Sequence, residues 1–325
     1  MKNKNTFQWL LASVALFLSL SATAQITTVQ DRVVYMSEYY NNMLMYNPAY
    51  TGDLSQGNVG FSTRFGKETA DIRPLTFNFF AHTRSFDLNS GFGIKAHYHK
   101  FDDKFIGGVS VGEETEKRIL EIGGLYSYEM PLFDIASVAI ATNVSALHYQ
   151  SKARNFNNPT GTVSQVQNER FFKMNIDLGL LFKLQDFRFG MSVVNSNEPQ
   201  FTFTSSGFDT KIFRRQVFIN TSYKFGINDM IYIEPNIMIH SYTGTTARNL
   251  KPLIDFSLLL RYKKYLYAGT SYKLNNAPYN MSLMFGGRFN SIQVSAAYNL
   301  IGKKYDSSSY SRIELMLALY LQSEE

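Results

Sequence analysis

An alternation of apolar and polar residues constrains this chain most. It starts near residue 57 and recurs almost to the end. Val59, Phe61, Thr63 and Phe65 share one face of an extended strand. Leu75, Phe77, Phe79, Ala81 and Thr83 repeat the pattern, with Thr76, Asn78, His82 and Arg84 opposite. Phe92, Ile94, Ala96 and Tyr98 are opposed by Lys95, His97 and His99. Met174, Ile176, Leu178, Leu180 and Phe182 are opposed by Lys173, Asn175, Asp177 and Lys183. Ile254, Phe256, Leu258, Leu260 and Tyr262 face away from Asp255, Ser257 and Arg261, and the last segment runs Ile313, Leu315, Leu317, Leu319, Leu321. Successive side chains of a strand point to opposite faces. Period two over stretches of about ten residues therefore sets an apolar row against one environment and a polar row against another.

About fourteen such segments are expected, near 57–66, 74–85, 91–101, 117–130, 135–149, 172–184, 186–196, 214–226, 229–241, 252–263, 265–274, 280–289, 291–300 and 311–321. Their connections sort by parity. Those at 86–90, 131–134, 185–186, 227–229, 263–264 and 290–291 are short. Those around 101–116, 150–171, 196–213, 241–251 and 301–310 are mostly long and polar. Short turns at one end and long loops at the other define a transmembrane β-barrel, and an even strand number returns both termini to the short-turn end. Residues 105–112 have the composition of a further strand, but reading 101–116 as a folded loop keeps the parity. The expected fold is all-β, a transmembrane antiparallel β-barrel of about 14 strands with a short N-terminal periplasmic leader.

Composition agrees. Aromatic residues make up 15% of the chain, with 27 Phe and 21 Tyr, while mean hydropathy is only −0.18. Lipid-facing residues diluted by lumen-facing polar ones produce that combination. Tyr126, Tyr128, Tyr223, Tyr262, Tyr265, Tyr272 and Tyr298 lie near strand ends and suit interfacial girdles. The formal charge of +6 includes Lys2 and Lys4, and the basic residues are scattered, so nucleic-acid binding is not indicated.

Before the alternation lie two other segments. Lys2 and Lys4, an apolar run over 7–20 and Ala22-Thr23-Ala24 read as a secretory signal peptide occupying 1–24. The chain has no cysteine, which excludes lipidation at a cysteine, disulfides and thiol chemistry. Residues 25–56 form a polar and aromatic leader, and 57–325 the barrel. Met36, Tyr39, Tyr40, Met43, Leu44 and Tyr46 share a helical face only in poor register, so the leader is expected to be mostly irregular with one helical turn. It ends in Tyr46-Asn47-Pro48-Ala49-Tyr50-Thr51-Gly52, a turn sequence. Pro48 fixes its own φ and extends Asn47, Asn47 suits an Asx-turn, and Gly52 permits a positive φ.

No catalytic constellation is visible. His97 and His99 share a strand face beside Lys95, with no third ligand in the sequence pattern, so no metal site is expected. Glu113, Glu114 and Glu116 read as a solvated loop, with divalent-cation binding at lipopolysaccharide as the alternative. Ser145 and His148 fall on opposite faces of one strand, poor geometry for a nucleophile and its base. Neither a Gly-x-Ser-x-Gly elbow nor a phosphate-cradling loop occurs. No cofactor is expected.

The run Ser37-Glu38-Tyr39-Tyr40-Asn41-Asn42-Met43-Leu44-Met45-Tyr46-Asn47-Pro48-Ala49-Tyr50-Thr51-Gly52 resembles the opening of the PorP/SprF family, which reads S-Q-Y-M-F-N-x-L-x-x-N-P-A-Y-A-G. Ser37, Tyr39, Asn42, Leu44, Asn47, Pro48, Ala49, Tyr50 and Gly52 match in register. Glu38, Tyr40, Asn41 and Thr51 depart, and the family's Arg-x-Gln-Trp stretch is reduced to Arg64 and Phe65. The resemblance implies a non-enzymatic outer-membrane component of the type IX secretion system of Bacteroidetes, with both termini periplasmic. Its implied partners are the secretion machinery, outer-membrane lipid and the C-terminal domain of a secreted surface protein such as a gliding adhesin. On the residues alone, a porin or solute channel is the alternative.

Overall fold

The computed structural model describes residues 36–53, 57–67, 75–104, 113–156, 163–199, 201–202, 209–210, 215–243, 252–263, 265–274, 281–300 and 311–321. Fourteen antiparallel strands form one closed sheet. They are β1 (Asn58–Lys67), β2 (Leu75–Ser85), β3 (Ser90–Lys104), β4 (Glu113–Phe133), β5 (Ala136–Phe156), β6 (Val163–Leu184) and β7 (Phe187–Val194). Then follow β8 (Gln216–Tyr223, resumed after Lys224 by Phe225–Gly226), β9 (Ile231–Tyr242), β10 (Leu253–Tyr262), β11 (Leu266–Leu274), β12 (Met281–Phe289), β13 (Ile292–Leu300) and β14 (Ser311–Tyr320). Each pairs with its neighbours in sequence, and β1 closes on β14 from Asn58↔Tyr320 to Lys67↔Ser311. A separate two-stranded ladder pairs Phe201–Thr202 with Asp209–Thr210.

Burial runs opposite to that of a protein folded in water. Phe61, Ile94, Ile122, Phe172, Leu260, Phe285 and Leu317 stand on the outer surface. Asn143, Asn175, Asp177, Asp255, Ser271, Ser282 and Asn299 are fully buried inside. A hydrocarbon surround makes that arrangement favourable, because the outward apolar row then has an apolar solvent and closure pairs the first strand with the last. All seven girdle tyrosines are exposed.

The short turns fall at 86–89, 134–135, 185–186, 227–230, 263–265 and 290–291, and the long connections alternate with them. Asn89 (φ 48°), Gln185 (φ 50°), Lys263 (φ 52°) and Asn290 (φ 52°) supply the left-handed residue that lets a tight hairpin follow the strand twist.

Two expectations need correction. The connections at 101–116 and 150–171 are largely strand, since β4, β5 and β6 are 21, 21 and 22 residues long. Accordingly Glu113, Glu114 and Glu116 lie on β4 opposite Asn155, Arg154 and Lys152, not in a loop. The reason is physical. Above the lipid a strand faces water on both sides and loses the apolar row that marks it. The leader also differs: residues 36–53 lie inside the barrel instead of standing free in the periplasm, in three 3-10 turns, Tyr39–Asn41, Met43–Met45 and Pro48–Tyr50, in place of one helical turn. The signal peptide, residues 105–112 and residues 322–325 lie outside the described residues.

Candidate functional site

The leader is a plug. Residues Met36 to Asp53 run inside the barrel. Tyr39, Met43, Leu44, Met45, Tyr46, Ala49 and Tyr50 form one buried cluster with inward-facing Phe80, Leu125, Leu181, Val194, Phe218, Met238 and Met316. Its local shape follows from sequence. Asn47 is extended (φ −139°, ψ 110°) ahead of Pro48, and its Oδ1 accepts the Ala49 N–H at 2.9 Å. Pro48, which has no N–H to leave unsatisfied, opens the last turn. Gly52 adopts φ +74° as the chain turns toward β1.

Every matched motif residue touches the wall or fills the core. Ser37 N–H donates to Glu314 Oε2 at 2.7 Å, and the Ser37 hydroxyl meets Ser282, Asn299 and Lys273. Tyr39 accepts a hydrogen bond from Ser257 at 3.2 Å. Asn42 donates to Ser62 at 3.4 Å, and Leu44 is buried in the cluster. Asn47 Nδ2 donates to the Leu180 carbonyl at 3.0 Å. The Tyr50 hydroxyl accepts from Asn220, and Gly52 N–H donates to His82 Nδ1 at 3.0 Å.

The wall is carved to receive the motif. A Cβ on Gly179 would lie 2.2 Å from Asn47 Oδ1 and 2.9 Å from both Ala49 N and Pro48 Cδ. One on Gly91 would lie 2.2 Å from the Thr51 carbonyl oxygen. Of the four residues that depart from the family pattern, Glu38, Tyr40 and Asn41 contact the other wall. Glu38 accepts from Ser295 at 2.7 Å, Tyr40 packs edge-on against Tyr267 with ring centroids 5.9 Å apart, and Asn41 donates to the Tyr267 hydroxyl.

The plug carries two unusual carboxyls. Burial pushes Glu38 up to about 8; the Ser295 hydrogen bond opposes the rise and nearby Glu314 adds to it. Burial would likewise raise Asp53. Arg188 at 3.0 Å and Lys183 at 3.1 Å more than reverse that, holding it below the ordinary carboxylate range.

The rest of the lumen is polar and compensated. Lys95 Nζ lies 3.0 Å from Asp177 and 3.9 Å from Glu121, while Asn143 and Asn175 donate to Asp177 and Ser145 donates to Glu121. His97 Nδ1 bonds Asn78 Oδ1 at 2.6 Å, and His99 Nδ1 bonds Thr76 at 2.8 Å. No group of three His, Cys, Asp or Glu able to hold a metal occurs among the described residues. Ser145 is buried inside and bonded to a carboxylate, with His148 on the opposite face of β5.

Beneath the plug, at the short-turn end, opens a cavity of about 460 Å³ lined by Tyr40, Asp53, Arg188, Glu234, Arg261 and Tyr267, among others. At its rim Lys224 lies 4.2 Å over the Tyr232 ring and Arg288 lies 3.9 Å over the Tyr320 ring.

The inward apolar belt was missed at the level of sequence. Its signal is a local break in the alternation at Phe79-Phe80, Leu180-Leu181, Val193-Val194 and Leu315-Met316-Leu317, where both faces are apolar. Where the apolar cluster of the plug packs on the wall, the wall is apolar on both sides.

A closed up-and-down barrel with an apolar outer surface and an internal N-terminal plug belongs to the outer-membrane class. Within that class, the chain belongs to the PorP/SprF family: the model of the type IX secretion system membrane protein PorP/SprF matches residues 28–319. Solved barrels share the fold at low identity. The CymD monoaromatic hydrocarbon channel is 11% identical with a TM-score of 0.52, covering 87% of this chain and 92% of its own. The Pseudomonas putida toluene transporter TodX is 10% identical with a TM-score of 0.51, covering 89% and 94%. A TodX channel mutant lacking segment S2 is 9% identical with a TM-score of 0.54, covering 87% and 94%. Among curated proteins, none matches the sequence.

Proposed function

We propose that this barrel is a non-enzymatic anchor of the type IX secretion system. It holds part of the machinery at the outer membrane and assists export or surface attachment of one secreted protein, such as a gliding adhesin. The observation that carries the reading is the position of the family motif. Residues 37–52 are spent on closing and bracing the lumen, which suits a rigid scaffold better than an open pore. In this reading both termini are periplasmic. The short-turn mouth with its 460 Å³ cavity faces the periplasmic machinery, and the long-loop end faces the secreted protein's C-terminal domain. The motif residues act structurally, as the plug.

A solute channel is the second reading, favoured by that cavity. Affinity purification of the detergent-solubilised protein separates the two. Recovery of secretion-machine components or one large secreted protein supports the anchor. Recovery of neither, with steady conductance in planar bilayers, overturns it. Deleting residues 25–52 should abolish secretion or attachment while the barrel still inserts; secretion that survives the deletion would remove the leader from the mechanism.

A further inference from the structure

The three longest strands run past the apolar band, and among the described residues the upper part of β6 has no strand on its β7 side. On β6 the outward apolar row runs from Leu184 through Leu180, Leu178 and Ile176 to Phe172, and gives way to Arg170 and Asn168. Twelve steps at about 3.4 Å, tilted about 45°, rise roughly 29 Å, close to the apolar band of such barrels. The strand above Phe172 therefore stands in water. There β6 remains paired with β5 from Phe172↔His148 up to Phe156↔Val163. On its other side β7 pairs only with Leu178–Leu184.

Strand parity fixes which backbone groups are left open. Ile176 N–H donates to Asn197 Oδ1 at 3.1 Å, and its carbonyl accepts from Ser196 N–H at 2.9 Å, so even-numbered residues of β6 face the β7 side. Asn197 Nδ2 reaches one step further, to the Met174 carbonyl at 2.8 Å. That side chain takes the place of a strand for one repeat and then stops. The N–H and C=O of Phe172, Arg170 and Asn168 follow with no strand beside them among the described residues. All three side chains are exposed, and Arg170 has no carboxylate partner among the described residues.

A row of open backbone groups next to a long, rigid pairing partner is a template for an added strand. We propose that residues 168–172 of β6 receive an extended segment of the exported protein by strand addition. A carboxylate of that segment passes Arg170 and an apolar side chain passes Phe172. The identity of the occupant rests on the secretion reading above, whereas the edge itself does not. The alternatives are no occupant and a second copy of the chain joined edge to edge.

The probe is a labelled nonapeptide of alternating Thr and Val with one central Glu, added to the full-length protein in detergent micelles and followed by fluorescence anisotropy. The test variant is Arg170→Pro. Its N–H points away from β5, so proline removes an open-edge donor and leaves the β5–β6 ladder whole. We expect binding to wild type, at least tenfold weaker binding to Arg170→Pro, and tenfold weaker binding of the same peptide N-methylated at alternate amides. The methylated peptide needs no variant to fold. Failure of the wild type to bind at ~1 mM peptide, or equal binding of the methylated form, overturns the proposal. So does a dimer by light scattering that Arg170→Pro abolishes. If Arg170→Pro loses the peptide yet the secreted protein still reaches the surface in cells, the edge stands and its assignment to cargo is overturned.

Discussion

Gly179→Ala tests whether the motif is locked into the wall. The new Cβ would sit 2.2 Å from Asn47 Oδ1 and 2.9 Å from the Ala49 nitrogen and Pro48 Cδ, and the last two cannot swing aside as a side-chain tip can. Moving Asn47 breaks two hydrogen bonds, a buried one to Ala49 N–H and a part-buried one to the Leu180 carbonyl. Overpacking costs about 1–3 kcal/mol, and buried polar groups left unmade cost about 1–3 kcal/mol more. The docked plug should lose roughly 2–6 kcal/mol, so its undocked population should rise by roughly 30-fold or more. The chain contains no cysteine, so Met45→Cys, at a buried plug position, gives a single reporter whose labelling by an aqueous thiol reagent tracks undocking. Gly124→Ala is the control, because nothing lies within 4 Å of its Cβ position. Labelling in Gly179→Ala within about twofold of that control would refute the lock.

The same reporter reads the two plug carboxyls, with rates normalised to an exposed cysteine. Glu38, raised to about 8, stabilises the docked plug fully below its ordinary value of 4.5 and loses that contribution as pH rises toward 8. Labelling should therefore accelerate from pH 5 to 8 in wild type and stay flat in Glu38→Gln, which keeps an acceptor for Ser295. Asp53 is lowered, so its contribution is present at neutral pH and lost only as pH falls below about 4. Asp53→Asn should label faster at pH 7 and lose less than wild type on acidification. Lys95→Met strands Asp177 and Glu121 in the lumen and should cost about 3–5 kcal/mol by denaturant unfolding. Adding Asp177→Asn should return part of that loss.

The barrel was legible because lipid imposes one rule on every strand, and Phe172, Ile176 and Leu180 obey it as plainly as Leu315 and Leu317. The rule fails where lipid is absent. Glu116, Lys152 and Asn168 continue β4, β5 and β6 into water, where both faces are polar and period two carries no hydropathy contrast. Inside the barrel, Leu181, Val194 and Phe218 answer the plug instead of water, and the same residues in a lone strand look like lapses in the pattern. The turn at Asn47-Pro48 followed from local chemistry. Its particular wall contacts did not, because pairs such as Ser37 with Glu314 and Tyr50 with Asn220 join residues far apart in sequence.

The distribution of those contacts bears on what the plug is for. A segment that merely blocked a pore could pack on any part of the wall. Here the Pro48–Tyr50 turn packs on β4, β5 and β6, and Asn47 bonds the β6 backbone at Leu180. Those are the three strands that project beyond the membrane. The other end of the plug, at Ser37 and Glu38, is tied to β11 through Lys273, β12 through Ser282, β13 through Ser295 and β14 through Glu314. The motif is thus a strut across the barrel. On the anchor reading proposed above, a load on the projecting wall would pass to the opposite wall through the short segment between Ser37 and Tyr50. That geometry gives a reason for the motif to accompany a barrel that holds a large partner outside, and gives none for a barrel that only passes solutes.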